Sequence, residues 1–348
     1  MSENNHRPCF HREDGVLFCE GVSLLELSCR LEQTTYVYSR AALTQAFDAY
    51  QRALGLRKSL VCYSVKANSS LGVLSVFSKL GAGFDVVSGG ELARVLAAGG
   101  DAGKVIFSGV GKTAAEMRFA LDAGIGCFNV ESAAELDRLA EVAASMGKRA
   151  PISFRVNPDV NPNTHPYIST GLRSNKFGVA FTEALDLYRK AAKLPNIEIS
   201  GIDCHIGSQL LDPAPMAEAA GKILGLVDQL AREGIHLDHI DLGGGLGIRY
   251  RDEEPPTPTE YLKPLLERFA GRDEALAKYR ASVLNALRDA DVALARYGNE
   301  RQRRATLGRV ESSAVRASAL TEQRYRAGTS SVLDWLDAER TRYHAEQD

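Results

Sequence analysis

Between residues 59 and 242 the chain alternates seven short apolar runs with longer amphipathic stretches. The runs are Ser59–Val65, Gly83–Val87, Val105–Ser108, Cys127–Val130, Ile152–Val156, Ile199–His205 and His239–Leu242. Between them, Gly89–Ala98, Thr113–Ala123, Ala133–Met146, Phe181–Lys193 and Ala217–Glu233 carry apolar residues at helical spacing. Apolar strands alternating with amphipathic helices bury both faces of a parallel sheet. Seven such units in series, with no sign of a Rossmann strand order, predict an α/β fold. It is an incomplete (β/α)8 TIM-like barrel of about seven βα units.

The pattern stops near residue 270. All 12 prolines lie at or before Pro264, and only four of the 31 glycines lie in 271–348. That tail holds 13 arginines against the single Lys278, whereas the preceding part mixes the two. Without proline and glycine there is little turn punctuation, so the tail is predicted to be an all-α helical hairpin of different origin. The domains read as 1–40, a short N-terminal β segment with strands at Val16–Cys19 and Tyr36–Tyr38; 41–270, the barrel; and 271–348, the helical tail. In the tail, Val283, Leu287, Ala290, Leu294 and Tyr297 form a seam of coiled-coil spacing. A second helical stretch runs from Val310 to Arg326, Ala327-Gly328-Thr329 breaks it, and Val332–Tyr343 resumes.

A formal net charge of −2 gives no electrostatic case for nucleic acid or an anionic membrane. The first 15 residues are polar, and no run of 18 apolar residues occurs, so neither a signal peptide nor a membrane span is expected. Cys9, Cys19, Cys29, Cys62, Cys127 and Cys204 are widely spaced with no CxxC pair. Reduced thiols, a cytoplasmic location and no metal are the expectation.

Barrels of this kind place their chemistry at the C-terminal strand ends. The first strand ends in Lys66, where desolvation favours a neutral amine able to attack an aldehyde; a lysine snorkelling at the rim has the same sequence. The sixth ends in Asp203-Cys204-His205-Ile206-Gly207-Ser208. It offers a flat ring and a hydroxyl beside exposed backbone, although a hydrogen-bonded core histidine fits as well. The seventh ends in Gly243-Gly244-Gly245-Leu246-Gly247. Three glycines after a strand suit either a phosphate cradle or a tight turn. Two motifs carry nothing further. Gly109-Val110-Gly111-Lys112-Thr113 ends like a P-loop, but Ile106 stands where that loop needs glycine. His236 and His239 have HxxH spacing with no supporting carboxylate motif.

A rim lysine, a stacking histidine and a glycine loop together suit pyridoxal 5'-phosphate (PLP). With them stand YVYSR (36–40), YSVKAN (63–68), GAGFDVVSGGEL (81–92), IFSGVGKT (106–113), NVES (129–132), FRVNPDV (154–160), HPYISTGLRSNKFG (165–178), DCHIGSQ (203–209) and DLGGGLGI (241–248). On these motifs, residues 10–270 resemble bacterial diaminopimelate decarboxylases of the alanine-racemase-like barrel class. The resemblance implies PLP as cofactor, a small amino-acid substrate, and decarboxylation of meso-diaminopimelate to L-lysine in lysine biosynthesis. It implies that Lys66 carries the cofactor and that His205 stacks on its ring. Ser208, Gly243, Gly244 and Gly245 would hold its phosphate, with Asp85, Glu91 and Arg155 near the lysine and the ring hydroxyl. It also implies a homodimer in which one subunit's C-terminal domain reaches the other's site.

That resemblance ends at residues 269–273. The family's Glu-Pro-Gly-Arg motif, expected on an eighth strand, does not occur in this sequence, nor does its Cys-Glu-Ser motif. Seven strands alone leave the first and last with unpaired edges, so impaired activity is expected. Instead, YRASVLNALRDADVALARY (279–297) and QRYRAGTSSVLDWLDAERTRYHAEQ (323–347) resemble the C-terminal region of outer-membrane efflux factors. The chain therefore reads as a chimera. Two alternatives stand beside the decarboxylase: a non-catalytic PLP-binding fragment, or an efflux component defined by the tail.

Overall fold

The computed structural model describes residues 8–31, 33–161, 177–270 and 280–284, and in the tail 313–347 except 314, 325, 328 and 330. The chain divides into two compact units, Met1–Ala293 and Leu294–Asp348.

The first unit opens with a three-stranded antiparallel sheet of β1 (Phe10–Glu13), β2 (Val16–Cys19) and β3 (Val22–Ser23). Asp14 and Gly15 take positive φ of 48° and 81° between β1 and β2, the turn geometry that matches strand twist in a two-residue hairpin. Helix α1 (Leu24–Arg30) follows. Tyr36–Tyr38 is irregular rather than a strand: the sheet is completed by β1 and β3 instead. Helix α2 (Arg40–Leu54) starts at Ser39, whose hydroxyl accepts the Ala42 N–H at 3.0 Å, a cap that contributes about 1 kcal/mol. Its Leu43, Phe47, Tyr50 and Leu54 lie on one buried face.

The barrel strands are β4 (Ser59–Ser64), β5 (Gly83–Val86), β6 (Val105–Phe107), β7 (Cys127–Val130), β8 (Ala150–Asn157), β10 (Ile197–Asp203) and β11 (His239–Asp241). The two-residue β9 (Val179–Ala180) pairs only with the end of β8. The interleaved helices are α3 (Leu71–Lys79), α4 (Gly89–Ala97), α5 (Ala114–Ala123), α6 (Ala133–Ser145), α7 (Phe181–Ala191), α8 (Ala214–Arg232) and α9 (Pro258–Arg268). All seven strands run parallel.

The first 270 residues are thus an incomplete barrel of seven strands, as expected. The eighth place is not empty. Strand β12 (Arg280–Leu284) pairs parallel with β11, Ile240 opposite Ala281, and with β4, Val283 opposite Val61. Two expectations are corrected here. The tail is not wholly helical, and the edges of β4 and β11 are paired. The physical reason is non-local. Two open ladders offer backbone partners on both sides of this segment, which outweighs a local heptad spacing that includes Val283. The other seam positions, Leu287, Ala290, Leu294 and Tyr297, lie outside the described residues.

Strand alternation separates two layers. Cys62, Ile106 and Cys127 point to one face and form a small cluster with Leu60. Their neighbours Tyr63, Phe107 and Phe128 point the other way and join the main core against the helices. Two residues beyond Cys62 and Cys127, on the same strand faces, come Ser64 and Asn129. Asp85 is the register partner of Ser64, and Arg155, Asp203 and Asp241 are register partners across β8, β10 and β11.

In the second unit, residues 315–324 are helical and a helix spans Val332–Gln347. The Ser318 hydroxyl donates to Glu339, which also pairs with Arg342 at 2.8 Å. Among the described residues no helix is long and apolar enough to cross a membrane.

Candidate functional site

Because the strands are parallel, every loop that follows one opens onto the same mouth. Lys66 sits in a single 3-10 turn, Val65–Ala67, directly after β4, and its side chain is exposed. Tyr63 anchors this turn from below, stacked on Phe77 with ring centroids 4.3 Å apart. The Ser64 hydroxyl donates to Asp85 Oδ2 at 3.1 Å, while the buried Asp85 Oδ1 has no hydrogen-bond partner among the described residues. Glu91 lies in the first turn of α4, capped by Ser88, and its carboxylate accepts the Val87 N–H at 2.7 Å. Burial pushes the Glu91 carboxyl above the ordinary range; the Val87 N–H opposes this, the Asp85 charge adds to it, and the Lys66 ammonium opposes it. Lys66, Asp85 and Glu91 thus converge on one side of the mouth.

Two loops interlock on another side. Gly243 has φ +65°, and a Cβ there would lie 2.7 Å from His205 Nδ1 and 2.9 Å from the Cys204 carbonyl. Gly245 has φ +105°, and a Cβ there would lie 2.2 Å from the Gly207 carbonyl. Only glycine satisfies both the backbone angle and the approach. Leu210 N–H donates to the Gly245 carbonyl at 2.7 Å, and Gly247 N–H to the Leu210 carbonyl at 2.9 Å. Gly243 N–H is held by Asp241 Oδ1 at 2.8 Å, and Tyr261 Oη donates to the Gly244 carbonyl at 3.1 Å. His205 and Ser208 are half-buried on the facing loop. A bare backbone cradle, a ring, a hydroxyl and a nearby lysine fit a phosphorylated aromatic aldehyde.

Arg155 occupies the third side. Its Nη1 lies 3.5 Å from Glu131 Oε1, its Nε 3.9 Å from Asp203 Oδ2, and its guanidinium 5.2 Å from the Phe177 ring. Sequence reasoning did not single out Glu131, Asp203 or Asp241. All three are buried. Asp203 and Asp241 are register partners on adjacent strands. Burial foremost pushes the Asp203 carboxyl up to about 7, against the pull of Arg155 and with the push of Glu131 and Asp85. Burial and the Asp203 charge also raise Asp241. The available signal was positional: both aspartates close strands that were already assigned to the mouth. Most of the HPYISTGLRSNKFG motif lies outside the described residues; Phe177 and Gly178 are its visible end.

His239 lies on β11 with its ring over Gly201, where a Cβ would come within 2.2 Å of Nε2. Among the described residues no cluster of His, Cys, Asp and Glu could hold a metal ion. The six cysteines are free, and burial pushes Cys127 up to about 12, a neutral thiol.

A family model described as "Pyridoxal-dependent decarboxylase, pyridoxal binding domain" matches residues 40–277, and one described as "Outer membrane efflux protein" matches residues 269–348. The chain is 57% identical over 279 residues to a diaminopimelate decarboxylase of Pseudomonas aeruginosa, covering 80% of this chain and 67% of that protein. Against the diaminopimelate decarboxylase of Neisseria meningitidis serogroup B the identity is 60% over 241 residues, 69% of this chain and 58% of the relative. The crystal structure of diaminopimelate decarboxylase from Helicobacter pylori complexed with L-lysine superposes with a TM-score of 0.71 at 40% identity. It covers 75% of this chain and 65% of that one. The chain spans about two thirds of the length of the relatives it matches. It joins two lineages, a pyridoxal-binding barrel and an efflux-protein-like tail.

Proposed function

Because the chain belongs to the pyridoxal-dependent decarboxylase family through residues 40–277, we propose that its barrel mouth binds PLP on Lys66 and derives from an enzyme converting meso-diaminopimelate to L-lysine. Bound PLP supplies a conjugated ring that takes up the electron pair left when a Cα–carboxylate bond breaks. The protein's part is to hold and to orient. Lys66 brings its amine to the cofactor aldehyde. Asp85 and Glu91 place carboxylates on the side of the mouth where that amine stands. The backbone of Gly243, Gly244 and Gly245, with the Ser208 hydroxyl, receives the phosphate. The His205 ring, backed by Gly243, offers a flat face to the pyridine. Arg155 brings a fixed positive charge for an oxygen of the ring or the substrate.

The observation that carries this reading is the interlock of His205–Ser208 with Gly243–Gly245 on the mouth that Lys66 shares. Turnover is expected to be far below that of an intact relative. Beyond residue 277 the chain leaves the family, and β12 supplies backbone pairing without the family's eighth-strand acid and arginine. Cytoplasmic lysine biosynthesis is the setting this reading implies.

The test is an absorbance titration of the purified protein with PLP, then borohydride reduction and peptide mapping. The expected result is one adduct, on Lys66, absent from Lys66→Ala. An adduct elsewhere, or none, overturns the assignment. Carbon dioxide release from meso-diaminopimelate at a rate comparable to an intact enzyme would contradict the expected impairment.

A further inference from the structure

The P-loop-like segment Gly109–Thr113 has no part in the phosphate cradle described above, yet its lysine is one of the most buried charges in the barrel. Lys112 lies between β6 and α5 with a side chain only 1% exposed. Its ammonium donates to the Gly109 carbonyl at 2.6 Å, the Asn129 carbonyl at 2.7 Å and Glu135 Oε1 at 2.6 Å. An ammonium has three protons, and all three are committed. None is left for a phosphate.

The connections continue from Glu135. Its Oε2 accepts the Glu131 N–H at 3.0 Å. The Glu131 side chain in turn gathers three loops: Oε1 accepts the Gly109 N–H at 3.0 Å and faces Arg155 Nη1 at 3.5 Å, and Oε2 accepts the Gly178 N–H at 3.1 Å. Gly109 is therefore gripped at both ends, its carbonyl by Lys112 and its N–H by Glu131. Gly178 has φ +73°, and a Cβ there would lie 2.7 Å from the Arg155 carbonyl. Only glycine lets that amide reach Glu131 while passing against Arg155.

We propose that Lys112 is a positioning residue for the cofactor site: acting through Glu135 and Glu131, it fixes the Arg155 guanidinium at the barrel mouth. The proposal rests on the PLP reading for its functional consequence and on geometry alone for its mechanism. Lys112 touches neither Arg155 nor the cradle. Its charge opposes the upward push that burial gives the Glu135 carboxyl. Held by Lys112 through Oε1, Glu135 pins through Oε2 the Glu131 N–H and so the backbone that aims Glu131. A buried pair of this kind could instead serve stability alone, and the test must separate the two roles.

The test compares Lys112→Met, Glu131→Gln, Arg155→Met and their double variants in the full chain. It reads PLP affinity by absorbance and hydrogen exchange at the Gly178 amide in protein without PLP. Lys112→Met and Glu131→Gln are each expected to weaken PLP binding about tenfold with Arg155 present and less than about twofold with Arg155→Met, the non-additivity of a shared network. Gly178 exchange is expected to accelerate in Lys112→Met, and Lys112→Arg to restore both readouts. Losses that persist undiminished in the Arg155→Met background, or unchanged Gly178 exchange, overturn the proposal. If Lys112→Met does not fold, Glu135→Gln cuts the same connection while leaving the two carbonyl contacts of Lys112, and its readouts decide. If the unsubstituted protein binds no PLP, the cofactor reading fails by itself. Gly178 exchange then decides the positioning role.

Discussion

Replacing Asp203 by asparagine should make this protein more stable, and only above acid pH. Asp203 closes β10 inside the barrel, beside Asp241 in register and with Arg155 Nε at 3.9 Å. Burial raises its carboxyl from 3.8 to about 7. The folded state therefore keeps a proton that the unfolded chain releases between about pH 4 and pH 7. Unfolding free energy contributed by this group is fully present below the unfolded value and falls as pH rises through that window. Each pKa unit corresponds to about 1.4 kcal/mol, so the loss across the window is about 4 kcal/mol. Asparagine has the same shape and no charge to bury. Asp203→Asn should match the unsubstituted protein at pH 4, gain steadily, and exceed it by about 4 kcal/mol at pH 8. Urea unfolding at each pH measures this. A variant less stable at pH 8, or a gain independent of pH, would refute the claim that a buried charge is being carried there.

Three further outcomes follow from the geometry. Gly243→Ala places a methyl 2.7 Å from His205 Nδ1 in a left-handed conformation that costs about 1–2 kcal/mol; PLP affinity measured by absorbance should fall about tenfold or more, and unchanged affinity would remove His205 from the cradle. Val283→Pro should cost about 3 kcal/mol in chemical denaturation, because a strand paired on both sides has no edge to offer proline. A cost below about 0.5 kcal/mol, ordinary for a surface site, would deny β12 its place. A chain ending at Ala270, which lacks the strand paired to both β4 and β11, should lose cooperative unfolding; a midpoint equal to that of the full chain would show that closure by β12 adds nothing.

Most of the barrel was legible because each element announces itself locally. Gly83–Val86 and Cys127–Val130 are short, apolar and followed by helices with recognisable caps at Ser88 and Ser132. The mouth was legible because its distinctive residues, Lys66, His205 and Gly243, stand at strand ends. Strand β12 was not. Arg280–Leu284 reads as helix by its neighbours' spacing, and only the open ladders of β4 and β11, far away in sequence, make it a strand. Glu131, Asp203 and Lys112 were missed for a related reason. A carboxylate or an ammonium is ordinary in sequence and becomes informative when burial forces it to find partners. The opposite error came from Tyr36–Tyr38, where aromatic and β-branched residues suggest a strand but the adjoining sheet is already complete with β1, β2 and β3.

The closing strand also sets an order of events. Ala281 pairs with Ser59 across more than two hundred intervening residues. Contacts of such separation pay the largest loop-closure entropy and slow folding most. During synthesis from the N-terminus, β4 through β11 emerge before β12, the strand that pairs their outer edges in the finished fold. The barrel nascent on the ribosome is an open sheet until residues 280–284 arrive. That interval is when its exposed edges can pair with another chain. The yield of folded protein should therefore depend on how fast the segment after residue 270 is delivered, independently of the stability of the finished barrel.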